Sequence, residues 1–132
     1  MGYEKFTQRS LAVIQEAQQI AALHYHQEIT TRHLMLALAR ETDGILGAVF
    51  AQSNVDLKLL TAKLEQLLKQ QPSVRGQESG LRMNSAMIRV LAKAESLADK
   101  MHDEYISVEH LLLSVMEDGD HDVVKLCGEF GL

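Results

Sequence analysis

Apolar residues recur every three or four positions along most of this chain, and no stretch sustains a period of two. That spacing predicts amphipathic helices and no sheet. Val13, Ile14, Ala17, Ile20 and Ala21 mark a first helix, which Thr7 can cap because its hydroxyl can accept from a free N–H in the first turn. A second helix is expected from Thr30 to about Glu41, and Asp43-Gly44 breaks it. A short third carries Ile45, Leu46, Val49 and Phe50. Asp56 can cap a fourth, with Leu57, Leu60, Leu64 and Leu67 on one stripe. After a linker holding the only proline, Pro72, the helical pattern resumes at Asn84 with Met87, Val90, Leu91, Ala94, Leu97, Ala98 and Met101. A helix from Ser107 and a short one near 122–127 complete the chain.

The pattern is duplicated. Residues 6–55 align without a gap on 83–132, at a constant offset of 77. Val13, Ala17 and Ala21 fall on Val90, Ala94 and Ala98, and Ile29 to Leu36 falls on Ile106 to Leu113. Thr30 and Ser107, both good caps, share a place, and His33 and His110 sit at the third helical position of each copy. A fixed-period match is the signature of a repeat architecture. The expected organisation is a first repeat over 1–71, a linker over 72–82 and a second repeat over 83–132, together one all-α globular domain. Leu132 aligns with Val55, so the 57–69 helix has no counterpart. The second repeat reads as truncated, with Phe130-Gly131-Leu132 leading into a further helix.

Composition narrows the function. The 132 residues are 46% hydrophobic and 23% charged, as in an ordinary globular domain. Trp is absent, so Leu, Ile, Val, Ala and Met must build the core. A net charge of −5 argues against nucleic acid as the main partner, since phosphate binding needs a concentrated basic face. Arg75 and Arg82, in the linker, read as solvated charge. Lys58, Lys63 and Lys69 share their helix with Asp56 and Glu65, so a DNA-recognition helix is not indicated. Cys127 is the only cysteine, which excludes an intramolecular disulfide and fits a reducing compartment. The polar N-terminus lacks a signal peptide's apolar stretch, and the longest apolar run, Leu34 to Ala39, is far too short to span a bilayer. A cytoplasmic protein with no membrane partner is expected.

No catalytic frame emerges. Ser, His and Asp occur without an organising motif such as Gly-x-Ser-x-Gly. No Gly-x-x-x-x-Gly-Lys-[Ser/Thr] loop is present, so this segment is not an ATPase. His24 and His26 lie near a helix end and His33 follows a cap, yet no i,i+4 His pair supports a zinc site. These rings read as structural. Cys127 falls on Phe50 of the first copy and reads as a packing thiol. Met83, Met87 and Met101 could offer soft, adaptable contact. Periodicity turns Met87 and Met101 toward the core.

Tyr3-Glu4-Lys5-Phe6-Thr7 before the first helix, Ala17-Gln18 followed by Ala21, and the His-Leu helix starts at 33 and 110 resemble the N-terminal Clp repeat domain of ClpB-type AAA+ chaperones. The linker segment Pro72-Ser73-Val74-Arg75-Gly76 is similar to the Pro-x-Val-x-Gly of ClpB disaggregases rather than to the linkers of ClpA or ClpC. The resemblance covers essentially the whole chain. It implies two four-helix repeats packed as a pseudo-two-fold pair. It implies a non-catalytic domain that captures unfolded or aggregated polypeptides for threading by a hexameric motor working with the DnaK system. The isolated domain is expected to be a monomer with no cofactor; ATP and Mg belong to motor domains absent from this chain.

The resemblance also implies client-binding residues: Thr7, Leu91, Asp103 and Glu109. Leu91 resembles a position lining the family's apolar groove, and core packing explains it equally. Thr7 is also explained as a cap, Asp103 as a turn carboxylate and Glu109 as a first-turn charge complementing the helix dipole. Position 110 is His where some relatives are apolar. The alternative is a ClpC- or ClpA-type domain that docks an adaptor protein for a Clp protease.

Overall fold

The computed structural model describes residues 2–74 and 80–132. Arg75 and Gly76 of the linker motif, with 77–79, lie outside them. Seven α-helices account for most of the described chain: α1 (Gln8–Leu23), α2 (Thr31–Ala39), α3 (Ile45–Gln52), α4 (Leu57–Lys69), α5 (Ser85–Lys100), α6 (Val108–Asp118) and α7 (His121–Glu129). Six of these seven starts follow from side-chain caps; Gly44 before α3 has none. Thr7, Asp56, Asn84 and Asp120 accept backbone N–H bonds from the first turns of α1, α4, α5 and α7. In α2 and α6 the N–H of the residue before the helix donates to the Nδ1 of His33 or His110, at 2.9 Å in both copies. A histidine thus fills the place that Glu or Gln takes in an ordinary capping box.

The expectation of no sheet needs one correction. Two-residue strands β1 (Glu28–Ile29) and β2 (Arg82–Met83) pair in parallel. Phe6 forms the matching parallel bridge to Ile106. These pairings are the same contact made twice. Thr7 N–H donates to Ile106 O (3.0 Å), and Asn84 N–H, 77 residues on, donates to Ile29 O (3.1 Å). The lead-in of each repeat is therefore held by the α1–α2 or α5–α6 loop of the other. Buried Ser10 adds a hydroxyl bond to Ile106 O.

The turns repeat as well. Tyr25 and His102 have φ of 57° and 58°, and Asn54 and Gly131 have φ of 55° and 87°. All four end a helix in the left-handed region, and the following N–H reaches back to a carbonyl five residues earlier: His26 to Ala21, Asp103 to Ala98, Val55 to Phe50 and Leu132 to Cys127. This is the Schellman arrangement, in which glycine is usual.

The core runs through α1, α2, α5 and α6, with α2 buried almost along its whole length. Leu60, Leu64 and Leu68 of α4 are fully buried, while Leu57 and Leu67 sit half-buried beside them. The stripe therefore ends at Leu68 rather than Leu67, because spacing of four and four keeps one line along the face that meets α2. Met87 is buried, but Met101 is 52% exposed. Met101 is the residue after α5, where the helical period no longer fixes direction. Cys127 is buried, and its burial pushes the thiol pKa up to about 11. No helix of the described residues is long and apolar enough to cross a membrane.

Helix α4 packs across α2 and α7, and among the described residues it has no counterpart over the equivalent faces of α6 and α3. The difference falls on one pair of leucines. Leu36 of α2 is fully buried, whereas Leu113, its counterpart on α6, is 44% exposed.

Candidate functional site

The left-handed residues after α1 and α5 aim the next side chain at the following helix. In the second repeat that side chain is Asp103. Its Oδ2 lies 2.9 Å from His110 Nε2. The same turn in the first repeat presents His26, whose Nδ1 lies 2.8 Å from His33 Nε2. In both copies the other ring nitrogen accepts a backbone N–H, so Nε2 carries the proton of the neutral ring and donates it.

Three of the four candidate residues come together. Thr7, Asp103 and Glu109 line one open depression of about 300 Å3, with Glu104, Tyr105, Ser107 and His110. Thr7 realises its capping role here: its Oγ1 accepts from Ser10 N–H at 3.1 Å. Glu109 lies in the first turn of α6, where the helix dipole favours its charge. Among the described residues neither Glu104 nor Glu109 has an ion-pair partner. Among the same residues, Asp103 has only the ring of His110. Tyr105 is exposed between them. The depression is thus rimmed by carboxylates with an aromatic ring at its edge.

Leu91 lies elsewhere. It is 1% exposed and packs in the core, yet its edge reaches a second depression, of about 420 Å3, lined also by Tyr3, Arg82, Met83 and Ile88. The exposed apolar surface there belongs mainly to Ile88, 52% exposed, and to Tyr3. Sequence reasoning missed both. The signal was available for Ile88, an apolar residue off the Met87–Val90–Leu91–Ala94 stripe that α5 buries. The lead-in segment joins the two depressions, since Tyr3 lines one and Thr7 the other.

The equivalent depression of the first repeat, about 340 Å3, carries a different chemistry. Counted across the 77-residue offset, Asp103, Glu104 and Glu109 become His26, Gln27 and Arg32, and Thr7 becomes Asn84. The depression around His26 and Gln27 is also lined by Gln71, Pro72, Val74 and Arg82. Linker bonds hold these residues there: Val74 N–H to Tyr25 O, and Ser73 Oγ to His24 O, both 2.9 Å. Arg32, in the place of Glu109, turns to Asp120 (3.2 Å), Asp122 (3.0 Å) and Leu67 O (2.9 Å). One copy therefore gathers Asp103, Glu104 and Glu109 around its depression, whereas the other has, among the described residues, the carboxylate of Glu28 alone there and turns Arg32 into ion pairs.

The histidines of the first repeat form a cluster, His24 stacked on His26 and His26 edge-on to His33. His24 and His26 rings lie 5.4 Å apart, and His26 and His33 rings 5.0 Å apart. Burial, then His26 and His24, push His33 down to about 4. Burial and then His24 lower His26, while a bond with the Leu68 backbone works the other way. Both rings are thus held neutral near pH 7. Among the described residues no group of three or more His, Cys, Asp or Glu is placed to hold a metal ion.

Comparison with known proteins gives a consistent picture. Residues 5–130 match the family model described as the Clp repeat (R) N-terminal domain. The chaperone protein ClpB of Bacillus cereus is 41% identical over 121 residues, covering 89% of this chain and 14% of that protein. The chain thus spans about a seventh of the length of such curated relatives. The crystal structure of the Hsp104 N-terminal domain from Candida albicans superposes with a TM-score of 0.86 at 20% identity, covering 98% of this chain and 83% of that one. A ClpV N-domain solved in complex with a VipB peptide superposes at 0.73 and 14% identity, over 96% of this chain and 79% of that one. At these identities the two structures speak for the all-α fold.

Proposed function

The chain belongs to the Clp repeat N-terminal domain family, with curated relatives in ClpB chaperones, and from that premise we propose that it captures unfolded or aggregated polypeptides for an ATP-driven ClpB-type disaggregase. It is a binding domain, and the threading chemistry belongs to a motor outside this chain. The observation that carries this reading is the pair of depressions flanking the lead-in segment: one apolar at Tyr3, Ile88 and Leu91, the other carboxylate-rimmed at Thr7, Asp103 and Glu109. Unfolded chains offer apolar side chains in no fixed order, and a shallow apolar surface takes them without demanding a sequence. The open carboxylates favour segments in which Lys or Arg lies near the apolar residues. Because the first repeat's equivalent depression has no counterpart of the Asp103, Glu104 and Glu109 carboxylates, each domain offers one such site.

Capture by one such site is weak and reversible. In a hexameric ring, linked copies raise avidity without any tighter single contact. The DnaK system is the expected collaborator of the full protein.

The test is an NMR titration of the isotope-labelled chain with a permanently unfolded protein and with a folded control. Direct capture predicts shifts with the unfolded chain alone, clustered at Ile88, Leu91, Asp103 and Glu109. Substitution of Ile88 by Ser should weaken them with only a small loss of stability, since about half of that side chain is exposed. A one-to-one complex with a folded partner, and no response to unfolded chains, would instead establish adaptor docking. A ClpV N-domain of similar fold has been solved with a VipB peptide, a precedent that supports this second reading.

A further inference from the structure

Asp103 is exposed, and an exposed carboxylate on a loop ordinarily samples many rotamers. This one is restrained by a buried group. His110 is 3% exposed, and its Nδ1 accepts the Ser107 N–H at 2.9 Å. A backbone N–H cannot reverse its role, so the ring cannot flip without losing the helix start. Its Nε2–H therefore points one way, at Asp103 Oδ2, 2.9 Å distant.

The loop around Asp103 is pinned by its backbone at both ends. Asp103 N–H donates to Ala98 O (2.9 Å), and Ile106 N–H donates to Lys5 O (2.7 Å). Glu104 and Tyr105 lie between the pins and face solvent. Among the described residues, the His110 bond is the only side-chain hydrogen bond or ion pair made by 103–105. The first repeat shows what the same ring does with another partner. There His33 donates to buried His26, so that ring holds no carboxylate.

We propose that His110 is a positioning residue for client capture: anchored by the Ser107 backbone, it fixes the Asp103 carboxylate, and with it the 103–105 loop, in the orientation that meets the client. This inference rests on the reading of the Thr7–Asp103–Glu109 depression as the client site. His110 need not touch the client. Its contribution is to remove the rotamer freedom that Asp103 would otherwise lose on binding.

A double-mutant cycle separates this role from a structural one. The variants are His110→Leu, Asp103→Ala, the pair together, and His110→Gln. Gln retains both an acceptor for the Ser107 N–H and an amide donor for Asp103. Binding of a permanently unfolded protein is followed by NMR on the whole chain, with urea unfolding of every variant measured beside it. Asp103→Ala is expected to weaken binding several-fold. His110→Leu should weaken it to a similar extent, the pair no further than either single change, and His110→Gln should stay within about twofold of the parent. Additive losses in the pair, or unchanged binding in a folded His110→Leu, overturn the proposal. So does a His110→Gln that remains folded but binds as poorly as the leucine variant. Unchanged binding in Asp103→Ala defeats the site reading itself, and the positioning role with it. That outcome is distinct from a loss in Asp103→Ala alone, which defeats only the role of His110.

Discussion

Acidification should destabilise this domain through His33, and the size of the effect follows from its surroundings. The ring is fully buried, its Nδ1 accepts the Thr30 N–H, and its Nε2 faces His26. A second proton would have to go on Nδ1, breaking the cap and placing a charge beside two other rings. Its pKa is accordingly held at about 4, against 6.5 in an unfolded chain. Between those values the unfolded chain binds more protons than the folded one, so stability falls as pH falls. Each unit of difference is worth about 1.4 kcal/mol, which caps the loss at about 3 kcal/mol below pH 4. From pH 7 to pH 5 the loss from His33 alone is about 2 kcal/mol. His26, whose pKa is also lowered, adds in the same direction. The perturbation is His33→Gln. Glutamine at the third helical position can accept the same N–H and does not titrate. Urea unfolding followed by circular dichroism at pH 7 and pH 5 should show the parent losing about 2 kcal/mol more than the variant between the two. The absolute stability of the variant does not enter, because only the pH difference is compared. Equal losses in the two proteins would refute the assignment of this acid sensitivity to His33.

Leu36→Ala should cost about 2–5 kcal/mol in urea unfolding, because it empties a fully buried position beneath α4. The same change at its counterpart Leu113, 44% exposed, should cost well under half as much; equal costs would mean that α6 is covered in solution. His102→Gly should stabilise the chain by about 0.5–1 kcal/mol, since an exposed residue at φ 58° gives up its left-handed strain and loses no packing. A destabilised variant would show that the ring makes a contact of its own. Cys127, with its thiol pushed up to about 11, should resist an aromatic disulfide reagent at neutral pH in the native chain and react promptly once urea has unfolded it. Comparable rates in the two conditions would contradict its burial.

Much of the fold is legible in the sequence because the chain states its design twice. The 77-residue offset by itself pairs the caps, the core positions and the two histidine helix starts. It also holds the key to the Asp103–His110 bond, since His26 and His33 stand at the same separation of seven. What escapes is of three kinds. The paired strands are two residues long, too short for a period-two signal to exist. The left-handed turns carry Tyr25 and His102 where glycine would have announced them. And the helical period, continued past the end of α5, assigns exposed Met101 to the core. Family resemblance puts Leu91 on an apolar groove, and it does reach one, but its neighbours Ile88 and Tyr3 supply the surface. Depth of burial is set by what packs above a helix, and a single helix's pattern does not contain that.

The exchange of lead-in strands also sets a timetable for synthesis. Among the described residues, the long-range backbone partner of residues 5–7 is Ile106. A nascent chain must therefore grow by about a hundred residues after Thr7 before residues 5–7 can dock, roughly 5–20 s at ordinary elongation rates. Until then α1 can form, but its leading edge and Phe6 stay solvated. The first repeat cannot finish folding while the second is still inside the ribosome, and of the two strand pairings the one between Phe6 and Ile106 must wait longer for its partner to be made.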